Sequence, residues 1–170
     1  MNDIAFTLIE TSRDKDKYGA QLAAFFDSLD IEKKFAPVLN IEHIKKSDFT
    51  MIALDGDKIV GVAGVNTYHR IIHKAYVGVK KEYQNGLGAF LSLKRNKEAS
   101  KRYDLIVLKI SPENVISQKM NRALGYKDLG KRFSVDYLAM PFNYRGLFLC
   151  YAFKMIMPAI NVIDKVFKKL

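Results

Sequence analysis

The stretch Gln84-Asn85-Gly86-Leu87-Gly88-Ala89 is where the residue types of this chain come closest to a chemical device. A diphosphate is held by several backbone N–H groups aimed at one point, with no side chains where the phosphates approach. A strand that runs into a glycine loop opening a helix supplies both. Here Ile72 to Val79 reads as the strand, Gly86 and Gly88 as the loop, and Ala89 to Ser100 as the helix. Lys80 and Lys81 add positive potential, and the helix dipole favours negative charge at this end. A plain capping turn with incidental glycines has the same short pattern, so the loop alone leaves both readings open. Two nucleotide alternatives fit poorly. The dinucleotide fingerprint needs G-x-G-x-x-G early in a βαβ unit with a later acidic residue, whereas only G-x-G is present, mid-chain and behind a hairpin. The triphosphatase loop needs Gly-Lys-Ser/Thr, which does not follow.

The elements that must hold this loop can be read from periodicity. Ile4 to Glu10 partly alternates, with Phe6 and Leu8 on one face, and reads as a strand. Asp14 to Leu29 carries Tyr18, Leu22, Phe25, Phe26 and Leu29 at helical spacing. A short helix is expected from Ile41 to Lys46, after Pro37. Thr50 to Leu54 and Lys58 to Val65 flank Asp55-Gly56-Asp57, a strong hairpin signal. Asp104 to Ile110 is a nearly continuous apolar run, as expected for a central strand covered on both faces. Ser111-Pro112-Glu113-Asn114 starts a helix over Val115 to Leu124, which Gly125 stops. A last strand region follows, with interruption, from Tyr126 to Met140. This order predicts an α+β fold, with helices on a mixed sheet rather than an all-parallel one.

Composition bounds the rest. A chain of 170 residues with 49% hydrophobic and 27% charged residues can bury one core without disulfides or structural metal. The single cysteine, Cys150, excludes an internal disulfide, and three histidines at no regular spacing give no zinc template. The start, MNDIAFTLIETSRDKDK, does not read as a secretory signal, so a cytoplasmic protein is expected. Lys and Arg outnumber Asp and Glu by 28 to 18, a net +10, which points to an anionic partner. Nucleic acid is not expected, because neither a recognition helix nor an aromatic and basic strand pattern is present.

Val79, Glu82-Tyr83-Gln84 and Gly86-Leu87-Gly88-Ala89 together resemble the central motif of the GNAT acyltransferase superfamily, in which a strand ending in valine leads through Gln or Arg to a Gly-x-Gly/Ala loop and a helix. Gln84 stands one residue nearer the first glycine than is usual. The later segment NVISQKMNRALGY resembles the family's following motif, with Asn114, Ser117, Gly125 and Tyr126 in place. Asn121 stands where the family often has tyrosine. The likeness spans roughly Lys58 to Gly130.

The resemblance implies a mostly antiparallel central sheet with flanking helices, in which the strands Ile72 to Val79 and Asp104 to Ile110 splay apart near the loop. It implies one acyltransferase domain over residues 1–142, followed by a helical extension over 143–170. It further implies N-acyl transfer, most often N-acetyl transfer, from acetyl-CoA or another acyl-CoA to an amine on a small molecule, sugar or peptide, without metal. On that reading Gln84, Asn85, Gly86, Leu87, Gly88 and Ala89 hold the pyrophosphate, the backbone of Val77, Gly78 and Val79 polarises the acyl carbonyl, and Asn114 holds the pantetheine. Asn121 would donate a hydrogen bond to the leaving thiolate. His73 is a candidate base, with His69 and Tyr68 beside it, although each also reads as an ordinary solvated residue. The rival expectation is a GNAT-like module that binds acyl-CoA without turnover.

Gly146 to Leu170 is long and apolar but interrupted by Lys154 and Pro158 and ends in Lys165, Lys168 and Lys169. A helix here is expected either to pack on the domain's own sheet or form a homodimer, or to lie on an anionic membrane surface.

Overall fold

The computed structural model describes residues 3–29, 41–69, 72–132 and 135–167. The elements in chain order are β1 (Ile4–Ile9), α1 (Ser12–Lys17), α2 (Gly19–Asp27), α3 (Ile41–Lys45), β2 (Phe49–Asp55), β3 (Lys58–His69) and β4 (Ile72–Val79). A single 3-10 turn (Lys81–Tyr83) leads to α4 (Leu87–Ala99), β5 (Leu105–Ile110), α5 (Val115–Ala123), β6 (Lys127–Arg132), β7 (Val135–Pro141) and α6 (Tyr144–Phe167).

The seven strands form one sheet in the order β1-β2-β3-β4-β5-β7-β6. Every neighbouring pair is antiparallel except β4 and β5. The expected hairpin is β2–β3, and Gly56 at its turn takes φ +57, a conformation that glycine adopts without strain. The run from Tyr126 to Met140 resolves into a second hairpin, β6–β7. The helix expected over Asp14 to Leu29 is broken at Tyr18. A capping box starts α1 earlier than expected, since the Thr11 Oγ1 accepts from the Asp14 N–H and the Asp14 carboxylate accepts from the Thr11 N–H. Pro37 lies outside the described residues.

Alternation along each strand separates two apolar layers. On one face of the sheet, Leu22 and Phe25 of α2 and Ile44 of α3 cover Ile9, Ile52 and Val62. On the other, Leu91 of α4 packs with Ala53, Val60 and Ala63. That approach is close: a Cβ on Gly61 would stand 2.6 Å from Leu91 Cδ1. β5 serves both sides, as its uninterrupted apolar run requires. Its Ile106, Leu108 and Ile110 join Ala99 and Tyr126, while Leu105 and Val107 meet Cys150 and Met157 of α6.

α6 is pinned at its start. Asn143 Nδ2 donates to Asp104 Oδ1 at 2.6 Å, and the Gly146 N–H donates to Asn143 Oδ1 at 2.9 Å. A Cβ on Gly146 would fall 1.9 Å from the Asp104 carbonyl oxygen, so only glycine allows this approach. Among the described residues no helix is long and apolar enough to cross a membrane.

Candidate functional site

The parallel strands β4 and β5 share one register pair, Lys74↔Val107. Beyond it toward the glycine loop no further pair joins them, so an opening lies between the C-terminal halves of two central strands. Strand alternation decides which amides face it. The Lys80 N–H donates to the Val60 carbonyl at 3.0 Å, and β4 stays in register with β3 up to Gly61↔Val79. The even-numbered amides of β4 therefore belong to the β3 ladder, and those of Val77 and Val79 face the opening. This corrects one expectation: the Gly78 N–H is turned to β3, so of the three residues only Val77 and Val79 offer donors there.

At the top of β4 the chain makes its 3-10 turn, and Tyr83 OH donates to Asp55 Oδ2 at 2.5 Å, tying the loop to the β2–β3 hairpin. Gly86 takes φ +92 as the N-cap of α4, and no side chain caps the helix. The first helical bond runs from the Phe90 N–H to the Gly86 carbonyl at 3.1 Å, leaving the amides of Leu87, Gly88 and Ala89 without intrahelical acceptors. Gln84, Asn85 and Gly86 are exposed; Leu87, Gly88 and Ala89 are half-buried. Gly88 thus lies in the first turn of α4 rather than in the loop, with Val79 Cγ2 at 3.7 Å and Met120 Sδ at 4.0 Å from where a Cβ would be. The helix start, the end of β4 and α5 converge on one spot. Free amides and a bare glycine there suit a diphosphate.

Arg95 is the group that sequence reasoning missed. Its side chain is 0% exposed. Nη1 donates to the Tyr76 carbonyl at 2.9 Å, Nη2 to Tyr126 OH at 2.7 Å and to Asn96 Oδ1 at 3.0 Å, and Nε to Asn96 Oδ1 at 3.2 Å. Among the described residues, no carboxylate is among its hydrogen-bond partners. Burial pushes the Tyr126 phenol up, against the pull of the guanidinium. The signal was present in the sequence: with Leu91, Ser92, Asn96 and Ala99, Arg95 falls on the inward stripe of α4.

Asn114 caps α5, its Oδ1 accepting from the Ser117 N–H at 3.0 Å. Asn121 is 1% exposed, and its Nδ2 donates to the Ser117 carbonyl at 2.8 Å and to Ser117 Oγ at 3.2 Å. In this rotamer the Nδ2 group is therefore engaged by Ser117. Asn121 Oδ1 is the atom left without a partner among the described residues. His73 lies at the far end of β4, about 13 Å along the strand from Val77. Its ring stacks on Tyr103 at 4.1 Å, and Nδ1 meets Thr67 Oγ1 at 2.8 Å. Tyr103 OH donates to Asp48 Oδ2 at 2.7 Å. The side chains of Tyr68 and His69 lie outside the described residues. Lys74 stands at the closed end of the opening, and burial holds its ammonium below the usual value.

A pyrophosphate needs the free amides at the start of α4, and a pantetheine arm needs amides on one side of an open strand pair. Both are present, with the orphaned Asn121 Oδ1 as a buried acceptor.

No family model and no curated protein matches the chain in sequence. Solved structures do match in fold. An acetyltransferase of the GNAT family from Streptococcus pneumoniae superposes with a TM-score of 0.63 at 17% identity, covering 82% of this chain and 100% of that one. YncA from Salmonella typhimurium, solved with its cofactor acetyl-CoA, gives 0.60 at 14% identity over 82% and 95%. A ribosomal-protein-alanine N-acetyltransferase from Brucella melitensis gives 0.59 at 16% identity over 79% and 99%. At these identities the likeness is one of architecture, and it includes the mixed seven-stranded sheet with its single parallel pair. The chain has the GNAT superfamily fold.

Proposed function

We propose that the chain is an acyl-CoA-dependent N-acyltransferase, with acetyl-CoA as its first candidate donor and a primary amine on a small molecule or peptide as acceptor. One observation carries this reading: the Val77 and Val79 amides face an opening that ends at the uncapped, glycine-bearing start of α4. The start of α4 would hold the pyrophosphate, and the opening would take the pantetheine. In the transfer, the neutral amine attacks the thioester carbonyl carbon, the C–S bond breaks, and the amine's surplus proton passes to water. The Val77 N–H donates a hydrogen bond to the carbonyl oxygen and stabilises the negative charge that develops there. Positioning and carbonyl polarisation supply the rate, with solvent carrying the protons.

A second reading, binding without turnover, is favoured by Asn121, whose Nδ2 bonds to Ser117 and which stands where the family resemblance implies a tyrosine. Calorimetric titration with acetyl-CoA, longer acyl-CoAs and free CoA tests both readings, followed by thiol release against a panel of amines. Absence of binding to every CoA species would sink the first. Tight binding with no thiol release from any amine would select the second.

A further inference from the structure

α6 is apolar on two sides. One side carries Leu149, Cys150, Phe153 and Met157 into the sheet. The other carries Tyr144, Phe148, Tyr151 and Met155, which are 92%, 72%, 62% and 80% exposed. Their spacing of four, three and four residues puts them in one line along the helix, opposite the docked side. A helix with two apolar sides has two apolar neighbours to satisfy, and among the described residues the sheet is one.

We infer that the outward stripe of α6 lies on an anionic lipid surface. Charge selects this occupant over a second copy of the chain. Arg145 and Lys154 are exposed beside the stripe. From Tyr144 to Leu170 the sequence holds five cations (Arg145, Lys154, Lys165, Lys168, Lys169) against one acid, Asp164, a net of +4, within a chain of +10. Pairing two such helices brings like charges together, whereas an anionic leaflet attracts both the helix and the whole molecule. The residue types agree, because Tyr and Phe sit readily at the boundary between headgroups and acyl chains. The helix spans 24 residues, about 36 Å, so it can lie along the surface. No helix among the described residues can cross the membrane, which leaves the in-plane arrangement.

The test does not depend on acyl transfer. Deleting α6 would bare Leu105, Val107, Leu129 and Ala139, so substitutions on its outer side are used instead. The full chain is floated with vesicles of phosphatidylcholine alone and of phosphatidylcholine mixed with phosphatidylglycerol, at low and high salt. Binding is expected to the phosphatidylglycerol vesicles and to weaken with salt. Lys154→Ala should weaken it about fivefold. The triple substitution Phe148→Ser, Tyr151→Ser, Met155→Ser should abolish it while circular dichroism and melting temperature stay close to those of the parent. Because the chain has no tryptophan, Phe148→Trp gives a single reporter whose emission should shift to the blue on these vesicles. The inference is overturned if the parent chain fails to bind, if the triple variant binds as well as the parent, or if sedimentation shows a dimer that the triple variant dissociates and vesicles leave intact.

Discussion

Arg95 Nη1 donates to the Tyr76 carbonyl at 2.9 Å, and that carbonyl belongs to the same peptide unit as the Val77 N–H facing the opening between β4 and β5. A cation bonded to one end of an amide in a low-dielectric interior polarises it and makes its N–H a better donor. Keeping a guanidinium wholly buried costs several kcal/mol unless its hydrogens are well met. Here Tyr76, Asn96 and Tyr126 take four hydrogen bonds from its five hydrogens, which places a fixed positive charge behind the proposed oxyanion donor.

Arg95→Met keeps length and removes charge. With acetyl-CoA as donor, kcat should fall about tenfold, equivalent to ~1.4 kcal/mol, while KM for the donor changes much less. Arg95→Lys should restore part of the loss. Steady-state kinetics on the three proteins decide: a full kcat in the methionine variant removes Arg95 from the chemistry and makes it a core residue alone.

Gly86 and Gly88 should respond in opposite directions. A Cβ at Gly86 meets nothing within 4 Å, but its φ of +92 is strained for any other residue. Gly86→Ala should therefore lower stability by roughly 1–2 kcal/mol. Gly88 has ordinary helical space, so Gly88→Ala should raise stability by about 0.5–1 kcal/mol. Its new methyl would stand between Val79 and Met120, where the diphosphate is proposed to enter. Thermal melts paired with acetyl-CoA titrations read both effects. A Gly88→Ala protein that is both more stable and equally tight for the donor would move the diphosphate off α4.

The legible parts of this fold are those where backbone chemistry is local. Asp55-Gly56-Asp57 made its turn, and the run Leu105 to Ile110 proved central because both of its faces are covered. β6 was hidden because it is an edge strand, with Leu129 buried and its neighbours mostly charged and exposed. The break at Tyr18 was hidden because the apolar stripe runs on through it while the capping at Thr11 acts only on the first turn. Within the site, the glycine loop was readable as a pattern. Two things needed three dimensions: which amides of β4 face the opening, a matter of strand register, and Arg95, whose partners lie 19 and 31 residues away in sequence.

Alkaline pH should loosen the domain through its tyrosines. Burial pushes the Tyr76 phenol up to about 12, with the bond to Thr50 pulling the other way. A folded value above the unfolded one, near 10, means the contribution is complete below pH 10 and is lost between pH 10 and 12. For Tyr76 that loss is of order 2 kcal/mol. Denaturant titrations at several alkaline pH values should show the decline, and Tyr76→Phe should flatten it. An identical slope in the variant would assign the decline to other groups, Tyr103 and Tyr126 first, whose phenols burial also pushes up.

Cys150 should report whether α6 is docked. It is the single cysteine, buried against the sheet, and burial pushes its thiol up. A disulfide reagent at neutral pH should find almost no protein thiol in the folded chain and one after denaturation, which also leaves a thiol-release assay for coenzyme A free of background. Modification then requires α6 to lift. Met157 lies on the docked side beside Cys150, so Met157→Ala should cost about 2 kcal/mol of docking and speed labelling roughly thirtyfold. Met155 lies on the outward stripe, so Met155→Ala should leave the rate unchanged. Equal acceleration by both would mean that labelling follows global unfolding or a different helix rotation, and the two-sided reading of α6 would fail with it.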